Sequence, residues 1–348
     1  HGVYGRLSGD VFCMCVDYPR DRILRLIREL TDRLADYPLP YKVVPSFGIC
    51  EVDNIDTPIN VLCDWANLAL ETVKGNFLQR YAYYDGTLRE KILEEKDIES
   101  RMHDALLEGQ FVLYLQPKVH IPTSRIIGSE GLVRWLHPVE GLMPPDRFIP
   151  LFEKNGFVVR LDEHIWEQAC MTLRRWIDQG FTPAPVSVNV SRLHLHDPHL
   201  CRKLRELVGR YGLPPRLLEL ELTESVFLEN GSALFDAIRE LRSYGFRFLM
   251  DDFGSGYSSL NMLKSIPVDF IKLDREFLNE EVATDRGKTV IQFSIALARK
   301  MGIEVIAEGV ESEEQAAFLL RSGCACAQGY LYARPMPVPD FETLAFRT

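Results

Sequence analysis

The sequence predicts an α/β protein, a (β/α)8 TIM-like barrel preceded by a small α+β region. Three observations lead there. After residue 110, eight apolar strand candidates alternate with amphipathic helical stretches over about 235 residues, the size and pattern of such a barrel. Nearly every one of those strands ends in an acid, an amide or a lysine, and barrel chemistry sits at the carboxyl ends of strands. Residues before about 85 follow a different pattern that is too short for a sizeable core. A doubly wound open sheet is the competing architecture, but it generally uses fewer strands. The expected division is 1–85, a linking helix over 86–109, and a barrel over 110–348.

Composition narrows the function classes. The 348 residues are 46% apolar and 26% charged, as in ordinary globular proteins. A net charge of −10 argues against polymeric nucleic acid as a partner, which would need a basic face. It leaves open a small anionic ligand held by metals and a few arginines. No apolar run approaches the roughly 20 residues of a membrane span, and no secretory leader is read at His1. The eight cysteines include Cys13/Cys15 and Cys324/Cys326, each spaced two apart, but no Cys-x-x-Cys. The expectation is scattered, reduced, mostly buried thiols and a cytoplasmic location.

In chain order, Tyr4–Leu7 and Val11–Val16 flank Ser8-Gly9-Asp10 and predict a hairpin. Asp21 opens a helix with Ile23, Leu24, Ile27, Leu30 and Leu34 on one face. A strand over Lys42–Val52 and a helix over Ile59–Lys74 follow. The charged helix 86–109 carries Leu88, Ile92, Met102 and Leu106 as apolar points and ends at Gly109. The barrel strands are then expected at Phe111–Gln116, Ile126–Trp135, Val186–Val190, Leu217–Glu224, Phe246–Asp252, Phe270–Asp274, Glu304–Val310 and Ala327–Ala333. Between them, Asp197-Pro198 starts a helix running to Gly212. Ser312 with Gln315 forms a capping box for another, which Gly323 ends.

One segment is the most informative. Phe248-Leu249-Met250 leads into Asp251-Asp252, then Phe253-Gly254-Ser255-Gly256. Adjacent carboxylates at a strand end repel unless cations bind there, although such a pair also serves as a solvated turn or helix cap. The other strand ends decide between these readings. They offer Glu130 and Arg134, Asn189, Glu221 and Glu224, Lys272 and Asp274, Glu308 and Glu311, and Gln328. A ring of Glu, Asp and Asn oxygens is a hard-cation site, suited to Mg2+ or Mn2+ rather than zinc.

In order and spacing, these stretches resemble the EAL family of cyclic di-GMP phosphodiesterases. The matching residues are Tyr114-Leu115-Gln116-Pro117, Glu130-Gly131-Leu132, Ser187-Val188-Asn189-Val190-Ser191 and Glu219 to Ser225. They continue with Asp251-Asp252-Phe253-Gly254, Asp269 to Asp274, Ala307 to Glu311, and Gln328-Gly329-Tyr330. The resemblance implies a barrel that uses two divalent cations to hydrolyse cyclic di-GMP to linear pGpG. By position it implies Glu130, Asn189, Glu221 and Asp251 as ligands of a first metal, and Asp251, Asp252 and Glu308 as ligands of a second. Lys272 resembles the lysine that contacts the attacking water, and Glu224 the acid that anchors the loop 253–260. Gln116, Arg134, Asp274, Glu311 and Gln328 are the expected substrate-contacting group. The resemblance also implies a homodimer through helices near strands five and six, coupled to the metals by that loop. One departure lies in the signature: the family's central alanine is Gly131 here, which is expected to lower the rate modestly.

The hairpin Arg6–Phe12 is similar to the signature turn of GGDEF cyclases, but degenerate. Ser8 stands for its first glycine and Val11 for its metal-binding glutamate, so cyclase activity is not expected. Its regulatory Arg-x-x-Asp would place the aspartate at Gly2 and is not supported. The chain starts close to the turn, so the expectation is a longer polypeptide upstream, with room for a sensory or membrane portion, or a fragment. GTP is the candidate ligand of this remnant, and a structural or GTP-sensing role acting through the helix 86–109 is the expected one. The alternative function is a catalytically silent cyclic di-GMP receptor acting through a partner.

Overall fold

Ser8 and Asp10 flank Gly9, whose φ of +48° lies in the left-handed region where a side chain is strained, and the chain reverses there. The computed structural model describes residues 2–38, 43–76, 79–229, 231–254, 266–279 and 284–346. They fall into two units divided between Ser100 and Arg101, a cut inside the helix Gly86–Leu107.

In the first unit the hairpin forms as expected, with β1 (Gly2–Ser8) antiparallel to β2 (Val11–Val16). The helix Arg20–Ala35 follows and buries Ile27. The long strand expected over Lys42–Val52 shortens to β3 (Phe47–Ile49), and Lys42 lies outside the described residues. Among the described residues of that stretch, only these three find a strand partner, in β4 (Tyr81–Tyr83), parallel to them and not anticipated. The helix Ile59–Val73 lies directly on β3. A Cβ on Gly48 would overlap the carbonyl oxygen of Ala66, so only glycine allows that approach.

The second unit closes an eight-stranded barrel. Its strands are β5 (Phe111–His120), β6 (Arg125–His137), β8 (Val186–Asn189), β9 (Leu218–Thr223), β10 (Arg247–Phe253), β11 (Phe270–Leu273), β12 (Glu304–Ala307) and β13 (Cys326–Ala327). The order β5-β13-β12-β11-β10-β9-β8-β6 is completed by pairing of β6 with β5. Short strands β7 (Gly141–Met143) and β14 (Met336–Pro337) extend β6 and β5. All eight expected strands are in the barrel, but it is not uniformly parallel: β5 runs antiparallel to both neighbours. Only residues 121–124 separate β5 from β6, and a parallel crossover needs a dozen or more. The last strand is Cys326–Ala327 and keeps only Ala327 of the seven residues expected.

The helix expected from Asp197 begins instead at Leu200. Asp197 spends its carboxylate on the backbone N–H of His199, at 2.8 Å. The capping box of Ser312 and Gln315 is present, at the start of the helix Glu313–Arg321. Phe111, Trp135, Phe148 and Phe152 are fully buried and pack ring to ring, with centroids 4.9–6.3 Å apart. Truncating such a ring generally costs about 3–5 kcal/mol. Among the described residues no helix is long and apolar enough to cross a membrane.

Candidate active site

Register decides which side chains share the barrel interior. Glu130 is level with Ser187, Ser187 with Glu219, Asn189 with Glu221, and Glu221 with Leu249. Residues level across paired strands point to the same face, as do residues two apart. Gln116 lies opposite Glu130, so Gln116 and Lys118 join that face. Glu130, Glu219, Glu221, Lys118 and Lys272 are all buried, so the barrel is lined with charge at these levels. Buried charges persist only when paired.

The pairing centres on Lys272. Its Nζ lies 2.6 Å from Glu221 Oε2, 2.6 Å from Glu308 Oε1, 3.0 Å from Asp251 Oδ1 and 3.2 Å from Glu130 Oε2. Carboxylate oxygens of Glu130, Glu221 and Asp251 all lie within 4.8 Å of one another. Below them Lys118 Nζ donates to Ser187 Oγ at 2.5 Å and to Glu221 Oε1 at 2.8 Å. Glu221 is thus held by one lysine on each oxygen. Lys118 was missed by sequence reasoning, although it is two residues beyond Gln116 on the same strand and so on the same face.

The electrostatics follow from burial and neighbours. Burial would raise the Glu221 carboxyl, but Lys118 and Lys272 outweigh it and hold it at about 2. Glu130 is raised by burial, against the pull of Lys272. Burial pushes Glu308 up to about 8. Burial opposes charge on Lys272 too, yet the surrounding carboxylates raise it well above the ordinary lysine value.

Asp251 and Asp252 part company at an irregularity in the ladder. The register between β10 and β11 shifts between Met250 and Phe253, and bulges of this kind re-aim side chains. Asp251 reaches Lys272. Asp252 has φ +56°, a strained setting that aspartate tolerates better than most. Burial, then the charges of Asp251 and Asp274, push Asp252 up to about 6. Just beyond, Gly254 N–H donates to Glu224 Oε2 at 2.9 Å, which holds the backbone directly after Phe253. Residues 255–260 of the expected loop lie outside the described residues.

The amides form a second group. Gln328 Nε2 donates to Gln116 Oε1 at 2.9 Å and to Glu130 Oε2 at 2.6 Å, while Gln328 Oε1 is buried without a partner among the described residues. Arg134 is half-buried, donates to the carbonyl of Val133 at 2.7 Å, and lies over the Tyr114 ring at 5.7 Å. Burial lowers its pKa. Asn189 is exposed at the end of β8, and its main-chain oxygen accepts from Trp166 Nε1 at 2.9 Å. Asp274 accepts from the N–H of Glu276 at 2.6 Å. Glu311 is exposed, and its N–H donates to Gln315 Oε1. Among the described residues no hydrogen bond or ion pair ties the Glu311 carboxylate to the cluster.

A hard divalent cation fits this donor set. Three mutually close carboxylates offer oxygens alone, as Mg2+ and Mn2+ prefer. The orphaned Gln328 Oε1 adds an unused acceptor beside them.

The glycine in the signature is closely packed. A Cβ on Gly131 would stand 3.0 Å from Leu113 Cδ1 and 3.1 Å from the carbonyl oxygen of Ser187. The leucine methyl can yield, but the carbonyl belongs to a paired strand. Gly131→Ala is therefore expected to destabilise by about 1 kcal/mol through crowding, instead of the gain that removing a strand glycine would bring. Thermal unfolding decides it, and a higher melting temperature would refute the packing argument.

Comparison with known proteins agrees with the architecture. The EAL domain family model matches residues 99–335. The chain is 33% identical over 341 residues to the bifunctional diguanylate cyclase/cyclic di-GMP phosphodiesterase MucR of Pseudomonas aeruginosa, covering 95% of this chain and 49% of that protein. It is 34% identical over 345 residues to the cyclic di-GMP phosphodiesterase NbdA of the same organism, covering 98% and 44%. The chain thus spans about half the length of the curated relatives it matches. Among solved structures, the PaMucR phosphodiesterase in complex with c-di-GMP is similar, with a TM-score of 0.67 and 38% identity over 70% of this chain and 99% of that one. With its closed barrel, its strand-end carboxylates and a family match over 99–335, the chain belongs to the EAL domain family.

Proposed function

We propose that the chain hydrolyses one phosphodiester of cyclic di-GMP to give linear pGpG, in a reaction that depends on divalent cations. The observation that carries this is the gathering of Glu130, Glu221 and Asp251 within 4.8 Å around Lys272, inside an EAL domain barrel. Relatives named as cyclic di-GMP phosphodiesterases and a similar domain solved with c-di-GMP support the substrate.

Divalent cations held there would polarise a phosphoryl oxygen and lower the pKa of a water. Glu130, Glu221 and Asp251 are the holding set, extended by Asn189 beside Glu221, and by Asp252 and Glu308. Lys272 keeps its charge at neutral pH and so favours a deprotonated nucleophile beside it. Lys118 fixes one oxygen of Glu221. Gln116 and Gln328 orient Glu130 and offer an acceptor to the ligand, and Arg134 brings a cation for its phosphate. Asp274 and Glu311 are proposed contacts further along the strand ends. Glu224 secures the segment leading away from Asp252.

Incubation with cyclic di-GMP and Mg2+ or Mn2+, followed by chromatography, tests the proposal. The expected result is pGpG that vanishes with chelator; binding without turnover would overturn it in favour of a receptor.

A pH dependence follows. The carboxyls of Glu308, at about 8, and Asp252, at about 6, hold protons in the cation-free protein as pH falls through those values. They must release them to ligate a cation. Mn2+ affinity is therefore expected to rise between about pH 6 and 8, with proton release seen by calorimetry in buffers of different ionisation enthalpy. Affinity flat over that range would contradict the assignment of both acids.

Residues 1–85 are proposed as a degenerate GGDEF-like region without cyclase activity, because the side chain of Val11 offers no oxygen to a metal. A structural role is the reading preferred, and GTP binding to the chain, measured by titration, would replace it with a sensing one. A homodimer through the barrel is also proposed, and sedimentation of a fully active monomer would refute it.

A further inference from the structure

We propose that Cys13 and Cys63 form a dithiol site that takes a hydroperoxide as substrate and closes to an intramolecular disulfide. The two sulfurs lie 3.7 Å apart, in van der Waals contact, although fifty residues separate them in sequence. Cys13 is on β2 and Cys63 on the helix Ile59–Val73, so the bond would tie strand to helix within the first unit. All eight cysteines are free, and this is the one sulfur–sulfur contact among them. Only Cys170 and Cys324 are buried, which corrects the expectation of mostly buried thiols.

Access favours the same pair. Both sulfurs belong to half-buried residues. Cys13 lies opposite Gly5 in the hairpin, and no atom comes within 4 Å of where a Cβ on Gly5 would stand. The face beside Cys13 is therefore open to a small oxidant. Elsewhere burial pushes Cys170 and Cys324 up to about 12 and Cys201 to about 11. These thiols are poor nucleophiles and act as internal controls. Cys13 is raised as well, by burial first and then by its hydrogen bond with Cys63, so the reaction is expected to quicken in mildly alkaline buffer.

The chemistry balances. The first thiol releases its proton, and its thiolate attacks one oxygen of the hydroperoxide. The O–O bond breaks and the sulfur becomes a sulfenic acid, while the departing alkoxide takes up the released proton and leaves as the alcohol (water, from hydrogen peroxide). The second sulfur then attacks that sulfur, and the S–S bond forms. Hydroxide departs and takes up the second thiol's proton to give water. Two electrons pass from the sulfurs to the peroxide.

The test treats the full chain with hydrogen peroxide and reads intact mass and a non-reduced peptide map. The expected result is a mass lower by two hydrogen atoms, a Cys13–Cys63 linked peptide, and reversal by dithiothreitol. Cys13→Ser and Cys63→Ser should each abolish the link, and Cys15→Ser, at an exposed residue outside the pair, should leave it. Should a serine variant fail to fold, the wild-type map decides alone. Free Cys13 and Cys63 after oxidation of other thiols, or links only between chains, would overturn the proposal. The outcome does not depend on phosphodiesterase activity.

Discussion

Lys272→Met is expected to lower the stability of the cation-free protein by about 3–5 kcal/mol, the cost of breaking a buried ion pair from one side. For a unit of this size, 3 kcal/mol corresponds to a fall in melting temperature of about 6–12 °C. The reason is geometric. One ammonium touches Glu221, Glu308, Asp251 and Glu130 at 2.6–3.2 Å, and methionine fills its volume without its charge. Glu308 and Glu130 are already raised and can take up protons, which places the effect toward the lower end. Mn2+ should recover more stability in the variant than in the wild type, because it restores positive charge at the same oxygens. Unfolding scans with chelator and then with Mn2+ measure both. An unchanged melting temperature would mean that Lys272 does not hold the cluster together.

Glu221→Gln is expected to reduce pGpG formation by more than about 100-fold, since loss of outer-sphere partners of a metal site alone costs 10–100-fold and Glu221 is proposed as a direct ligand. The amide keeps the shape and an acceptor for one lysine, but removes the one carboxylate among the described residues that touches both Lys118 and Lys272. Two buried ammonium groups then face the cations with less to offset them, so Mn2+ affinity should fall together with rate. Steady-state kinetics over a Mn2+ titration separate the two effects. A variant within a few-fold of wild type at every Mn2+ concentration would remove Glu221 from the ligand set.

Much of the barrel was legible because strands and helices alternate with readable ends, and because an acid, an amide or a lysine recurs near the end of nearly every strand. Glu130, Glu221, Asp251, Lys272 and Glu308 were visible in that way, and the structure gathers them. Lys118 was not, since a lone lysine in a strand ordinarily marks a solvated face; only closure of the barrel puts it under Glu221. The antiparallel pairing of β5 with β6 lay in the four-residue gap at 121–124, a distance cue that the alternation pattern hides. β4 carried too few residues for any periodicity. The splitting of Asp251 from Asp252 depends on a register shift between neighbouring strands, which no single strand's sequence contains. Glu311, a strand-end acid by position, is exposed next to a helix cap, a setting that its spacing from Glu308 does not reveal.

The most direct measurement is diffraction from crystals soaked in Mn2+, with data collected for anomalous scattering. Peaks beside the Glu130, Glu221 and Asp251 carboxylates are predicted, with Lys272 turned from them toward the attacking water. No peak at those oxygens under conditions where pGpG is produced, or a peak elsewhere in the barrel, would contradict the account.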